Sequence, residues 1–520
     1  MNFEVPERYN VSSLLDENLE AGRGEKVAVR SETEELTYAD LHDRVCHAGR
    51  ALQALGVQRE QRVLMAMDDT PAWPTVFLGA IRIGAVPVPV SYLDTAANFQ
   101  HFARDSGARI IVVEADALGT MQEAVAGLDL QPPLVVANGS ADGLESLEAL
   151  LDAHAGELPP ADTHRDDFAF WLFSGGSTGL PKGAVHLQHD IPYTVGTFGR
   201  EILCTTEDDV CFSTTKLYHA YGMGNGMSFA FAVGATSVLM AGKPDPAKIL
   251  AHIEKYRPTL FFSVPTIYGR LSGAPEAATT DFSSIRMCCS AAEPLAPEVL
   301  RRWREATGLE ICDGIGSTEM LHIYCSNRPG DVHPGTSGRP VPGYELKLLD
   351  EDERPVAQGE VGNLFVKGDS ALAFYWHQHE KTKGSLRGDW YFTGDRYRQT
   401  DDGVFVYEGR ADDMIKIGGL WASPIAIENA IIEHPEVLEV AAIGVEAEYT
   451  TRVKAFVVAR GREGSSELAE ELKSWCKQRL RRYEYPEFIE FLDELPKTPT
   501  GKIQRYKLRS LESDATQGFA

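Results

Sequence analysis

The chain has 520 residues, 43% hydrophobic and 24% charged, the proportions of an ordinary globular protein and too long for one core. Its 50 basic and 76 acidic residues give a formal charge of −26, which argues against nucleic-acid and anionic-membrane partners, because both are held by basic patches that neutralise phosphate. Any anionic small ligand must then sit in a local island of Lys, Arg and backbone N–H groups. The N-terminal segment has neither a basic region nor an apolar core, so no secretory signal is expected there. The apolar run from Met227 to Gly242 is interrupted by Ser, Thr and Gly and falls short of the roughly 20 residues that span a bilayer. A cytoplasmic protein is expected. Eight cysteines show no C-x-x-C pair and no zinc spacing, and are expected to be reduced core residues.

In chain order, Thr37-x-x-Asp40 is a capping box that opens an amphipathic helix through Leu41, Val45, Ala48, Leu52 and Leu55, stopped by Gly56. Strands at Val63 to Met67, Val86 to Val90, Ile110 to Val113 and Leu134 to Val136 alternate with helices at Trp73 to Ile83 and near Phe99. Residues 137 to 166 read as a solvated connector. The alternation resumes with strands at Val210 to Ser213, Thr236 to Met240, Leu260 to Ser263, Ile285 to Cys289 and Leu309 to Cys312, and with helices around Met227 and from Pro246 and Pro297. Such alternation predicts sheets covered by helices, here as two similar α/β subdomains. From Thr336 short strands at Glu345 to Leu349, Asn363 to Val366, Trp390 to Phe392 and Val404 to Tyr407 fit a small β-barrel or distorted sheet. A boundary near Gly409 to Asp413 precedes a compact α+β unit, with a helix start at Ser423-Pro424, strands near Val440 and Phe456 and a helix from Glu467 to Arg481.

Between the two α/β halves, the apolar run Phe168 to Phe173 leads into Ser174-Gly175-Gly176-Ser177-Thr178-Gly179-Leu180-Pro181-Lys182-Gly183. The glycines let backbone N–H groups approach an anion, while Ser177, Thr178 and Lys182 add hydroxyl donors and a charge, so the loop is suited to phosphate. It is not a Walker loop, because Lys182 precedes Gly183 rather than Ser or Thr. It does satisfy G-x-S-x-G, but a nucleophile elbow must launch a helix, and Pro181 and Gly183 occupy its first turns.

Further motifs follow in order: Ala292-Glu293-Pro294, Asp313-Gly314-Ile315-Gly316-Ser317-Thr318-Glu319, Tyr391-Phe392-Thr393-Gly394-Asp395, Lys416-Ile417-Gly418-Gly419-Leu420-Trp421, and Pro496 to Ile503 around Lys502. Together with the loop they resemble the adenylate-forming superfamily, and within it the benzoate-coenzyme A ligases, over about residues 10 to 508. The resemblance implies an α/β fold: a large N-terminal domain, residues 1–411, of two layered subdomains plus a small β-barrel, and a mobile α+β C-terminal domain, residues 412–520, hinged at Asp412. It also implies ATP, Mg²⁺ and coenzyme A as ligands.

By the same resemblance, Ser177, Thr178, Gly179 and Lys182 bind the β and γ phosphates, Ser174 is a further cofactor-binding residue of that loop, Thr318 contacts the α-phosphate and Glu319 helps to hold Mg²⁺. Ala292, Glu293, Pro294, Asp313, Gly314 and Ile315 wall the adenine, Ile315 with an aliphatic side chain where much of the superfamily has an aromatic one. Asp395 binds the ribose hydroxyls with Arg410 nearby. Lys502 is the cation between substrate carboxylate and α-phosphate during adenylation. Domain rotation then withdraws it and brings in Lys416, Gly418 and Gly419 to pass the pantetheine arm.

Ala220, Tyr221, Gly316, His322 and Ile323 match the positions around the aromatic ring. Tyr218-His219 departs from the usual two phenylalanines, which would admit a polar ring substituent or gate the carboxylate. No acidic residue stands at Ala220 or Tyr221, so an α-amino acid substrate is disfavoured. The expected activity is ATP-dependent ligation of benzoate, or an amino- or hydroxybenzoate, to coenzyme A. The alternatives are transfer to a carrier-protein thiol, ester hydrolysis at Ser177, and nucleotide binding without turnover. The resemblance mildly favours a homodimer.

Overall fold

The computed structural model describes residues 4–176, 179–411, 413–417, 420–447, 450–461, 463–497 and 503–517. The capping box forms as predicted: the Asp40 N–H donates to the Thr37 hydroxyl and the Thr37 N–H donates to the Asp40 carboxylate, opening the helix Tyr38–Ala54. Its buried face carries Leu41, Val45, Ala48 and Leu52.

Two parallel sheets dominate the first 340 residues. One has the strand order Val86–Val90, Arg62–Ala66, Ile110–Glu114, Leu134–Ala137, Glu145–Ser146. The other has nine strands, with Ile311–Gly316, Met287–Ser290, Leu260–Ser263, Val210–Ser213, Thr236–Val238 and Val27–Arg30 parallel in its centre and antiparallel strands at both edges. The two predicted α/β layers are therefore present, but the second also takes strands from the first part of the chain. Val27–Arg30 crosses to the second sheet, where Val29 pairs with Ser237. Alternating hydrophobicity marks a strand and says nothing of its partner.

The segment read as a solvated connector also differs. Glu145–Ser146 adds an edge strand and the helix Leu147–Ala153 buries Leu147 and Leu150. Two leucines three residues apart suffice to dock a short helix, although the surrounding Ala, Asp and Glu mask them.

Between the sheets lies an antiparallel hairpin, Phe168–Gly176 and Gly179–Leu187, joined by Phe374–Tyr375 as a third strand. The β-rich region is an antiparallel five-stranded sheet of Glu345–Leu349, Val361–Lys367, Trp390–Gln399, Leu386–Arg387 and Phe405–Arg410, bent by register shifts after Asn363 and Arg396. The C-terminal unit has its own sheet, Val437–Ala447, Thr450–Ala459 and Phe488–Phe491, and its own core around Ile427, Ile431, Val453, Leu468 and Leu472. Ser423 caps the helix Pro424–Ile432 as predicted. The final helix, Arg505–Gln517, was not predicted.

Among the described residues no helix is long and apolar enough to cross a membrane. The helix around Met227 is Ala220–Met223, a π-helical turn over Gly224–Ser228, and Phe229–Phe231. All eight cysteines are free thiols, and Cys204 is exposed where a core position was expected. It sits in a turn with φ +48°, which no regular element buries.

Candidate active site

The phosphate loop joins two strands, and no helix follows it. Ser174 faces Lys182 across the ladder, and the chain runs straight out through Gly179–Leu187. This geometry is neither that of a Walker loop nor that of a nucleophile elbow. Ser177 and Thr178 lie outside the described residues. Burial lowers the pKa of Lys182, the Lys381 and Arg410 cations lower it further, and Glu319 opposes them. Charges from three separate segments of the chain thus act on one ammonium.

Thr318 and Glu319 sit on a short 3₁₀ turn at the end of Ile311–Gly316, capped by the Ser317 hydroxyl, which accepts from the Met320 N–H at 3.2 Å. The turn closes through Leu321 at φ +64°, a left-handed conformation that costs a non-glycine residue about 1 kcal/mol or more. Several contacts hold it there. The Thr318 carbonyl accepts from His186 Nε2 at 2.9 Å, and His186 Nδ1 meets Asp190 Oδ2 at 2.6 Å, both side chains being fully buried. Phe170 stacks on the same imidazole at 5.2 Å. Glu319 Oε1 accepts from the Tyr375 hydroxyl at 2.8 Å, and the Leu372 N–H donates to the Glu319 carbonyl at 2.7 Å. Burial and the Glu319 charge push the Tyr375 phenol up, which keeps it a donor. The hairpin that carries the phosphate loop and its third strand therefore also grip the Thr318-Glu319 turn. Sequence reading missed His186, Asp190 and Tyr375. The spacing of His186 and Asp190 was a usable signal, whereas nothing marked Tyr375.

Of the motifs expected to bind nucleotide, residues 292–294 and 313–316 lie at the carboxyl ends of neighbouring parallel strands, where open α/β sheets bind ligands, whereas Asp395 lies on an antiparallel strand. Ser290 pairs with Asp313, which brings residues 291–294 beside residues 313–316. Ala292 has φ +74°. Glu293 Oε2 accepts from the Thr266 hydroxyl at 2.8 Å. Burial pushes the Asp313 carboxyl well above the usual carboxylate range. Gly314 and Ile315 pair with Ser326 and Cys325. Asp395 and Arg410 are ladder partners 3.2 Å apart, and Arg410 also donates to the Thr393 carbonyl at 3.1 Å.

The pocket residues converge on His322. Its ring lies 4.7 Å from Phe229, 4.9 Å from Phe198 and 5.5 Å from Tyr221. Gly224 is required there, since a Cβ would stand 2.7 Å from His322 Nε2. Gly316 pairs with Ile323, and a Cβ on it would be 2.5 Å from the His322 carbonyl oxygen. Ala220 and Tyr221 are buried in the first turn after His219. Burial lowers His219 to a pKa of about 4 and His322 to about 3, so both rings are neutral at pH 7.

Asp412, Gly418, Gly419 and Lys502 lie outside the described residues. Lys416 lies on the strand Ile415–Ile417, and Ile417 pairs with Leu420 across the Gly418-Gly419 position. The ends of the segment 498–502 are tied. Lys497 bridges Ile503, the Gln504 N–H donates to the Pro496 carbonyl at 2.8 Å, and Arg505 Nη2 reaches both Glu428 oxygens at 2.7 and 2.8 Å.

A layered α/β domain with a glycine-rich hairpin loop, an acid–base ladder pair and a buried cluster of neutral rings, followed by an α+β unit with its own core, fits an enzyme that activates a small acid with a nucleotide. The AMP-binding enzyme family matches residues 15–376, and the AMP-binding enzyme C-terminal domain matches residues 426–502. The chain belongs to this family, in agreement with the resemblance read from its motifs. A benzoate–CoA ligase of Thauera aromatica is 45% identical over 98% of this chain and 97% of its own. A 4-hydroxybenzoate–CoA/benzoate–CoA ligase of Rhodopseudomonas palustris is 39% identical over 97% and 94%. Among solved structures, the anthranilate CoA ligase AuaEII in complex with anthranoyl-AMP superposes with a TM-score of 0.96 at 36% identity, covering 99% of this chain and 100% of that one. A benzoate CoA ligase from Burkholderia xenovorans gives 0.90 at 41%, covering 96% and 100%.

Proposed function

We propose that the protein is an ATP-dependent aryl-coenzyme A ligase. The observation that carries this reading is that Glu319 and Arg410 both act on the Lys182 ammonium, Arg410 being paired with Asp395, while the buried rings of Tyr221 and His322 meet close by in the chain's second sheet region. In the first step a carboxylate oxygen of the aryl acid attacks the α-phosphorus of ATP, and the bond to pyrophosphate breaks. Two anions meet, so the residues around them must offset negative charge. Lys182, with Ser177 and Thr178, binds the leaving phosphates, Thr318 contacts the α-phosphate, and Asp395 accepts from the ribose hydroxyls. Lys502 supplies the cation between carboxylate and phosphorus.

Glu319 fits a magnesium ion. It offers a hard oxygen donor oriented by Tyr375, and no cluster of three or more His, Cys, Asp or Glu among the described residues could hold a metal alone, as expected when nucleotide phosphates complete the coordination. Bound there, the ion would neutralise phosphate charge. In the second step the sulfur of coenzyme A attacks the acyl carbon, and the bond to AMP breaks. Lys416 and the Gly418-Gly419 position serve this step after residues 412–520 rotate about Asp412 relative to residues 1–411.

The test is to incubate the protein with ATP, Mg²⁺, coenzyme A and a set of benzoates and to detect the thioester by mass. Formation of an aryl-coenzyme A with stoichiometric AMP is expected. Ester hydrolysis without nucleotide, or nucleotide binding without any turnover, would refute the reading.

A further inference from the structure

An extra residue on one strand of an antiparallel ladder leaves backbone groups that need partners elsewhere. The hairpin that carries the phosphate loop has such an irregularity beside its lysine. Ser174 pairs with Lys182 and Gly176 with Gly179, so Leu180 and Pro181 together oppose Gly175 alone. A bulge of this kind bends the strand and re-aims the side chains next to it. The side chain next to this one is Lys182.

The Pro181 carbonyl finds its partner outside the hairpin. His101 Nε2 lies 2.8 Å from it, and because a carbonyl only accepts, that nitrogen carries the hydrogen. His101 is on the helix Ala96–Ser106, which Thr95 caps and whose buried face holds Phe99 and Phe102. Phe173, the ladder partner of Gly183, meets the imidazole edge-on at 6.0 Å and the Phe102 ring at 4.6 Å, which fixes where the imidazole sits. The residue on the other side of Lys182 is tied as well. The Gly183 carbonyl accepts from the Trp376 N–H at 2.8 Å, and Trp376 Nε1 donates to the Asp105 carbonyl at 3.0 Å. Lys182 thus stands between two residues whose carbonyls are both anchored to the helix Ala96–Ser106, one directly and one through Trp376.

We infer that His101 is a positioning residue for adenylation: by holding the Pro181 carbonyl it fixes the bulge that aims Lys182 at the leaving phosphates. This rests on the aryl-coenzyme A ligase reading. The effect of the imidazole passes through the lysine, so it belongs to the half-reaction in which pyrophosphate leaves and not to the transfer of the acyl group to the thiol. Loss of one neutral hydrogen bond corresponds to about 3–10-fold in rate.

The experiment measures aryl-acid-dependent pyrophosphate exchange, and thioester formation from a supplied aryl-adenylate and coenzyme A. The proteins compared are the wild type, His101→Phe, His101→Gln, Lys182→Met and the double variant His101→Phe/Lys182→Met. His101→Phe keeps an aromatic ring against Phe173 and removes the donor. It should lower kcat/KM for MgATP in exchange by about 3–10-fold, with KM for the aryl acid unchanged and thioester formation within about twofold of the wild type. His101→Gln offers an N–H at similar reach and should return exchange to within about twofold of the wild type. In the Lys182→Met background, His101→Phe should have less than about a twofold further effect, because the group it positions is gone. His101→Leu also removes the donor and remains informative if His101→Phe fails to fold. Equal losses in both half-reactions, an undiminished effect in the Lys182→Met background, or His101→Gln as slow as His101→Phe would overturn the inference. Unchanged exchange in the variants that lack the donor would overturn it too. Absence of aryl-adenylate formation by the wild type with every aryl acid would overturn the ligase reading, and the inference with it.

Discussion

Tyr375→Phe isolates how the fold holds Glu319. The substitution removes one oxygen from a side chain that is 3% exposed and leaves the ring and its packing in place. The bond lost is a hydroxyl donated to the Glu319 carboxylate at 2.8 Å. Hydrogen bonds to charged groups are worth about 1.5–3 kcal/mol, more than neutral ones. At about 1.4 kcal/mol per tenfold in rate, the predicted loss in kcat/KM for MgATP is roughly 10–150-fold. The loss belongs to adenylation, because the Glu319 carboxylate is proposed to act on the metal–nucleotide complex. Pyrophosphate exchange dependent on the aryl acid, measured across Mg²⁺ concentrations, should fall and require more metal. Thioester formation from a supplied aryl-adenylate and coenzyme A should change by less than about threefold, since Glu319 has no part in that step. Equal losses in both half-reactions, or no loss in either, would refute the role given to Glu319 and its tyrosine.

Other substitutions test separate parts of the account. Gly224→Ala places a Cβ within 2.7 Å of His322 Nε2 and should raise KM for the aryl acid at least about 10-fold with KM for ATP unchanged, as measured by steady-state kinetics. Lys502→Ala should lower adenylation by about 10²-fold to 10³-fold while largely sparing thioester formation from aryl-adenylate, which paired half-reaction assays would show. His42 offers a stability test far from the site. Its hydrogen bond to Asp16 and the neighbouring Cys46 raise its pKa from 6.5 to about 10. A raised histidine stabilises the fold fully below its unfolded value, and that contribution is lost as pH rises through the folded one. Denaturant unfolding should therefore show stability falling between about pH 6.5 and pH 10, and His42→Gln should flatten that slope.

The motifs proposed to meet phosphate, adenine and ribose were legible because each combines unusual residue types in a fixed order, and family resemblance supplied the roles expected of them. Helix starts at Thr37, Ser423, Pro246 and Pro297 were legible from capping chemistry, which is local. What the sequence withheld was non-local. The pairing of Val29 with Ser237 and the contacts of Tyr375 with Glu319 and His186 with Thr318 join positions far apart in the chain. The leucines of Leu147–Ala153 were hidden by their polar surroundings. Pattern reading finds the side chains that meet ligand more readily than those that hold them in place.

The central claim is that one site joins an aryl acid first to AMP and then to coenzyme A. Single-turnover kinetics with excess enzyme, ATP, Mg²⁺ and a hydroxybenzoate test it most directly, with coenzyme A added only after the first phase. The account predicts release of pyrophosphate and a tightly held aryl-adenylate in the first phase, followed by AMP and aryl-coenzyme A on addition of the thiol. Release of AMP and free acid without the thiol, or an aryl-adenylate that coenzyme A fails to discharge, would contradict it.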